Sequence, residues 1–226
     1  MSPSDIQSNF GNLGGKFRTS AEDVSSTLRG IKGYIFDWDG VFNNGFKPND
    51  NGSPFSEVDA MGINMLRFSH WLKHGELPKC YIITGANNQT ALQFAKREHF
   101  NGVFLSYKDK KKALDELSSA DGIQAYELGF LFDDILDLGL AEVCGLRLCV
   151  GRPGSPLMDE FVNQKQLFDY RTGNSGNTHA VREICELLIG LNGNYVQTIE
   201  ERIKFSDQYL QYLNLRNSTE VRTHSA

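Results

Sequence analysis

YIFDWDGVFNNG, residues 34–45, runs from three apolar residues directly into an aspartate, a tryptophan, a second aspartate and a glycine turn. With Gly33 in front, the apolar run Tyr34-Ile35-Phe36 is bounded by turn formers and reads as a short buried strand. The carboxylates of Asp37 and Asp39 therefore stand where that strand ends. Trp38, between them, reads as a packed aromatic on the opposite side of the chain. The following residues, 42–55, FNNGFKPNDNGSPF, are dense in Asn, Gly and Pro and predict a turn or small β-hairpin insertion.

Outward from this strand, apolar segments alternate with helical ones. The pattern predicts strands over 80–84, 102–105, 128–132 and 146–150, followed by helices over 88–99, 109–119, 136–143 and 156–165. A helix over 61–74 carries Ile63, Leu66, Phe68 and Leu72 at helical spacing. A further strand near 167–170, a helix over 178–190 and an amphipathic helix over 195–213 complete the pattern. Such βαβα alternation implies an α/β, Rossmann-like fold, a parallel central sheet with helices on both faces. Residues 1–19, rich in Ser, Gly and Asn, read as a flexible N-terminal arm, with Ser20 capping a short helix to about residue 29. Residues 20–194 form one domain, and 195–226 a C-terminal helix and tail.

A chain of 226 residues, 40% hydrophobic and 23% charged, has enough apolar material for one sizeable core. Its formal charge of −5 supplies no global basic field for nucleic acid or an anionic membrane. No apolar run approaches the ~18 residues of a membrane span, and the start lacks a secretory pattern, so a cytoplasmic protein is expected. The four cysteines, Cys80, Cys144, Cys149 and Cys185, lie in apolar surroundings without a C-x-x-C pair and read as buried free thiols. The N-x-[ST] triplets at Asn51, Asn88 and Asn217 have no export signal beside them and are discarded as glycosylation sites.

In an open parallel sheet, ligands collect outside the carboxyl ends of the strands. Four strand ends here carry polar groups: Asp37 and Asp39; Thr84 and Gly85; the lysines at 108 and 110–112; and Asp133, Asp134 and Asp137. Carboxylates from Asp37 and Asp133 meeting at one rim repel unless a cation lies between them, and an oxygen-rich site suits Mg2+ with a phosphorylated substrate. The Thr84 hydroxyl, the Lys110 charge and the backbone of the Gly40 turn are fit to wrap a phosphoryl group. Asp37 is placed to attack phosphorus, and Asp39 to protonate the leaving oxygen and then activate water. Asn43 and Asn44 open the loop expected to face the substrate.

The ordered set DWDGV, IITG, KDK and FDDILD resembles the haloacid dehalogenase (HAD) superfamily of phosphohydrolases. VDAMGI at 58–63 and HAVREICELLI at 179–189, without a large cap domain, resemble its capless branch, which includes 3-deoxy-D-manno-octulosonate 8-phosphate phosphatase and nonulosonate 9-phosphate phosphatases. The resemblance covers about residues 28–190. It implies that Asp37 is nucleophile and metal ligand, that Asp39 is acid/base and gives a backbone carbonyl to Mg2+, and that Asp133 is the acidic metal ligand. It further implies phosphate-binding roles for Thr84 and Lys110, supporting roles for Asp134 and Asp137, and a homotetramer whose neighbouring subunit closes the site. Three positions depart from the pattern: Phe132 and His179 replace glycines, and Ala86 replaces an arginine, so the sugar phosphate accepted is expected to differ. Two rivals on the same fold are a noncatalytic oligomerisation or binding module and a phosphotransferase; the first requires loss of a catalytic residue, and none is lost.

Overall fold

The computed structural model describes residues 1–48 and 52–226. Its strands are β1 (Lys16–Phe17), β2 (Gly33–Phe36), β3 (Lys79–Ile83), β4 (Gly102–Leu105), β5 (Leu128–Phe132), β6 (Leu146–Cys149), β7 (Tyr170–Arg171) and β8 (Arg222–Ser225). They form one sheet of order β1-β7-β6-β5-β2-β3-β4-β8, parallel throughout except for the antiparallel β1–β7 pair. The helices are α1 (Pro3–Asn12), α2 (Ala21–Leu28), α3 (Glu57–His74), α4 (Gln89–Arg97), α5 (Lys110–Asp121), α6 (Leu138–Ala141), α7 (Pro156–Gln164), α8 (Ala180–Asn192), α9 (Tyr195–Lys204) and α10 (Asp207–Asn217).

Alternation along each strand divides the core in two. Tyr34 and Phe36 of β2, with Cys80 and Ile82 of β3, point into the layer built mainly by α2, α3 and α8. Ile35, Tyr81, Ile83 and Phe130 point into the layer holding apolar residues of α5, α6 and α7. All four cysteines are buried and free, as expected from their neighbours. Phe36 pairs in register with Ile82 and Leu131, so the next residues of β2, β3 and β5 emerge at a common height. The backbone N–H of Asp37 still donates to Leu131 O at 2.9 Å, which ties the first carboxylate to the sheet.

Three expectations are corrected. The N-terminal segment is not loose: Ser2 and Asp5 form a reciprocal capping box on α1, and Ile6 buries itself beside Gly190 of α8. Lys16 and Phe17 then pair with β7, so the arm is part of the sheet. The 195–213 helix is interrupted: Phe205 turns left-handed at φ 51°, which ends α9, and the Ser206 side chain accepts from Tyr209 N–H to start α10. The tail after it adds β8 beside β4. Residues 42–48 and 52–55 contain no strand, so no hairpin pairs there among the described residues; its expected tip, 49–51, lies outside them. No helix among the described residues is long and apolar enough to cross a membrane.

Candidate active site

Asp37, Asp133 and Asp137 converge at the carboxyl rim of β2 and β5, each offering one carboxylate oxygen within 4.8 Å of the others. All three are buried. The chain achieves this by turning sharply after β5. Asp134 caps a single 3₁₀ turn, Ile135–Asp137, and that turn folds Asp137 back so that its Oδ2 accepts from the N–H groups of Asp133 (3.3 Å) and Asp134 (3.1 Å). Sequence reasoning placed Asp137 in a supporting role, whereas the structure brings it into the acidic trio. Asp134 does not join it: its side chain is 46% exposed and caps Ile135.

Lys110, the first residue of α5, is the central counter-ion. Asp109 caps the helix, and the buried Lys110 ammonium donates to Asp37 Oδ1 while pairing with Asp137. Burial works against its charge, but Asp137 and Asp37 outweigh that effect and hold its pKa above the ordinary lysine value. For Asp37 the balance runs the other way: burial first, then the charge of Asp137, push its carboxyl up to about 7 although Lys110 pulls it down.

Arg152, on the loop after β6, pairs with Asp133 and, at 3.1 Å, with Asp134. The sequence carried a signal for it, an arginine in a Gly/Pro turn at a strand's carboxyl end, that was not read. Within this network Arg152 reaches Asp133 Oδ2 and Lys110 reaches Asp137 Oδ1, while Asp133 Oδ1 has no polar partner among the described residues. Three buried carboxylates against two cations, with Asp133 Oδ1 left without a partner, fit a hard divalent ion such as Mg2+.

Gly40 makes this approach possible. Its φ is +92°, and a Cβ there would collide with the Asp133 carboxylate. Its N–H points to Asn43 Oδ1 at 3.3 Å, so it organises the turn instead of standing free for a phosphate. Asn43 is likewise committed: its amide donates to the carbonyls of Trp38 and Pro54, and its Oδ1 also accepts from Gly45. Where a contact with substrate was expected, the Asn43 side chain is engaged in shaping the loop. Trp38 is packed as expected, stacked on Phe42 with centroids 4.6 Å apart.

Thr84 directly follows β3, buried, with Gly85 next on the same rim. The Thr84 hydroxyl accepts from Asn88 Nδ2 at 2.8 Å, and the same nitrogen donates to Asp39 Oδ2 at 2.8 Å. Asp39 thus turns away from the acidic trio, with Oδ1 accepting from the Ser53 hydroxyl and Lys47 lying 3.2 Å from Oδ2. The sequence marked Asn88 only as a discarded N-x-[ST] triplet and marked no role for Ser53, since both reach Asp39 from distant positions in the chain. His179, where the resembled family has glycine, adopts φ 68° and faces the buried Asp59 at 3.7 Å. The position still requires a left-handed backbone, which explains glycine as the family's choice.

No family model and no curated protein matches the chain. Solved structures do. A probable YrbI family phosphatase from Pseudomonas syringae pv. phaseolica 1448a is 26% identical over 80% of this chain and 98% of its own, with a TM-score of 0.67. A putative HAD superfamily (subfamily III A) hydrolase from Legionella pneumophila is 25% identical over 81% and 96%, with a TM-score of 0.64. The 3-deoxy-D-manno-octulosonate 8-phosphate phosphatase of Moraxella catarrhalis, solved with magnesium, phosphate and KDO, is 25% identical over 79% and 97%, with a TM-score of 0.65. The chain has the HAD fold and resembles these phosphatases over most of its length, which supports an enzyme of the phosphoric monoester hydrolase class.

Proposed function

We propose that the chain is a Mg2+-dependent phosphomonoesterase acting on a small sugar phosphate of the 3-deoxy-ulosonate class, related to octulosonate 8-phosphate and nonulosonate 9-phosphate, with Ala86 and His179 setting its own preference within that class. The observation that carries the metal-dependent phosphatase reading is the buried trio Asp37, Asp133 and Asp137, with Asp133 Oδ1 unpartnered, beside Lys110 and Thr84 at the carboxyl rim. Asp37, Asp133 and Asp137, with the backbone carbonyl of Asp39, would hold the cation, which supplies charge neutralisation and orientation of the phosphate. The Lys110 ammonium and the Thr84 hydroxyl hold phosphoryl oxygens against Asp37.

A carboxylate oxygen of Asp37 bonds to phosphorus as the bond from phosphorus to the sugar oxygen breaks, and Asp39 gives that oxygen its proton. Water then attacks the phosphoaspartate, Asp39 takes the proton back, and inorganic phosphate leaves with the Asp37 carboxylate restored. Ile135 and Leu136, 70% and 59% exposed beside the acidic turn, are apolar surface that a neighbouring copy would cover, which supports the homotetramer in this reading. The test is phosphate release from a panel of sugar phosphates with Mg2+ and with chelator. Metal-dependent release from at least one ulosonate phosphate is expected, and none from any member of the panel contradicts the reading.

A pH dependence follows for the metal. The folded, cation-free Asp37 carboxyl is pushed up toward neutrality by burial and Asp137, so below about pH 7 a proton must leave before the carboxylate can serve as a ligand. Mg2+ affinity measured by calorimetry should therefore weaken as pH falls through 7, with proton release that varies with buffer ionisation enthalpy. Affinity unchanged between pH 8 and 6 would contradict the involvement of Asp37.

A further inference from the structure

We infer that Asn88 is a positioning residue: it fixes the Asp39 carboxyl that serves as the acid in phosphoryl transfer and ties it to the Thr84 hydroxyl. This rests on the phosphomonoesterase reading, in which Asp39 is the acid. Asn88 occupies the N-cap position of α4 yet makes no side-chain capping bond, forgoing a contribution of ~1 kcal/mol. Its amide is 1% exposed, and Nδ2 divides its two N–H groups between Thr84 Oγ1 and Asp39 Oδ2, each at 2.8 Å. Gly52, at φ +104°, lies so close that a Cβ there would come within 2.5 Å of Asn88 Oδ1. The loop before α3 is thus shaped around this amide.

The two oxygens of Asp39 meet different partners. Among the described residues, Oδ2 faces the Asn88 amide and the Lys47 ammonium, both donors. Oδ1 faces the Ser53 hydroxyl, which donates to a carboxylate and, by rotating, accepts from a carboxylic acid. Ser53 is itself held, its carbonyl accepting from Trp38 Nε1 at 3.2 Å and from the Thr90 hydroxyl at 2.7 Å. The Asp39 carboxyl is therefore held at both oxygens, Oδ2 by Asn88 and Oδ1 by Ser53, and its rotation is blocked. Through the shared nitrogen, the same amide ties this orientation to the Thr84 hydroxyl that holds the phosphate.

A residue that merely supports the fold would affect all esters alike, whereas one that aims a proton matters most when the leaving oxygen is strongly basic. The experiment compares kcat/KM, with Mg2+, for p-nitrophenyl phosphate and for the best-cleaved primary sugar phosphate of the panel. Because kcat/KM ends at the first irreversible transfer, later hydrolysis of the phosphoaspartate does not enter. General acid catalysis contributes ~10²–10⁴-fold, so Asn88→Ala should lower the sugar-phosphate value by at least about tenfold more than the aryl-phosphate value. Thr84→Val, which loosens the phosphate, should lower both by similar factors. Equal losses on the two esters, or no loss, in folded Asn88→Ala protein overturn the inference. If that variant does not fold, Ser53→Ala decides by the same ratio, because it frees the other oxygen of Asp39. Wild-type protein that cleaves neither ester overturns the phosphatase reading and this inference with it.

Discussion

Asp37→Asn protein should release phosphate from the best sugar phosphate at least ~10⁴-fold more slowly than wild type, the scale of loss seen when a covalent nucleophile is removed. The same substitution should leave the fold intact. An ionised Asp37 is costly in the cation-free protein, since burial and Asp137 both disfavour its charge. A folded-state pKa raised above the unfolded value means that the group binds protons more tightly when folded, so its contribution to stability declines as pH rises past the unfolded carboxylate range. Asparagine, neutral and of similar shape, avoids that cost. Thermal unfolding at pH 8 in chelator should therefore show a melting temperature equal to or above that of wild type, while the stabilisation by Mg2+ shrinks. Unchanged phosphate release would remove Asp37 from the chemistry.

Lys110→Met should have the largest effect on stability. The ammonium lies between two buried carboxylates, Asp37 and Asp137, and its removal leaves them facing each other without a counter-ion. Breaking a buried ion pair by deleting one partner costs about 3–5 kcal/mol. Urea unfolding in chelator should show a loss of that order, and activity should fall with it. Millimolar Mg2+ should recover much of the stability, because a cation bound to the trio does the electrostatic work of the missing lysine. A loss that Mg2+ leaves untouched would mean that the lysine and the metal site are independent.

The sequence made the sheet centre and the reactive aspartates legible for a physical reason. A buried parallel strand must be a short apolar run, and polar residues that follow such runs at several strand ends must arrive at one rim. Asp37, Thr84 and Asp133 were readable in this way, whereas Lys110 was singled out from its neighbouring lysines by the family resemblance. Asp137 was not, because its inclusion depends on a single 3₁₀ turn that reverses the chain within four residues. Asn88 was not either, because it joins Thr84 and Asp39 from two separate strand ends, a meeting that no local pattern shows.

The ends of the chain were misread for a different reason. The first helix has few apolar residues, and it is held by its capping box and by Ile6 docking on α8, a contact that pattern alone does not show. The Ser2-Pro3-Ser4-Asp5 start did contain the cap signal. The final strand, Arg222–Ser225, is polar and takes its place by pairing with β4 at the sheet edge, where no apolar alternation is needed. The break at Phe205 was marked by Ser206-Asp207, a cap signal inside an amphipathic run.

The central claim is that Asp37 attacks phosphorus while the acidic trio holds a divalent ion. It is tested most directly by a crystal structure of the protein with Mg2+ and beryllium trifluoride, a mimic of the phosphoryl group. The expected result is beryllium joined to a carboxylate oxygen of Asp37, with Mg2+ about 2.1 Å from oxygens of Asp37 and Asp133 and the fluorides against Lys110 and Thr84. Beryllium on another side chain, or Asp133 beyond coordination distance of the metal, would contradict it.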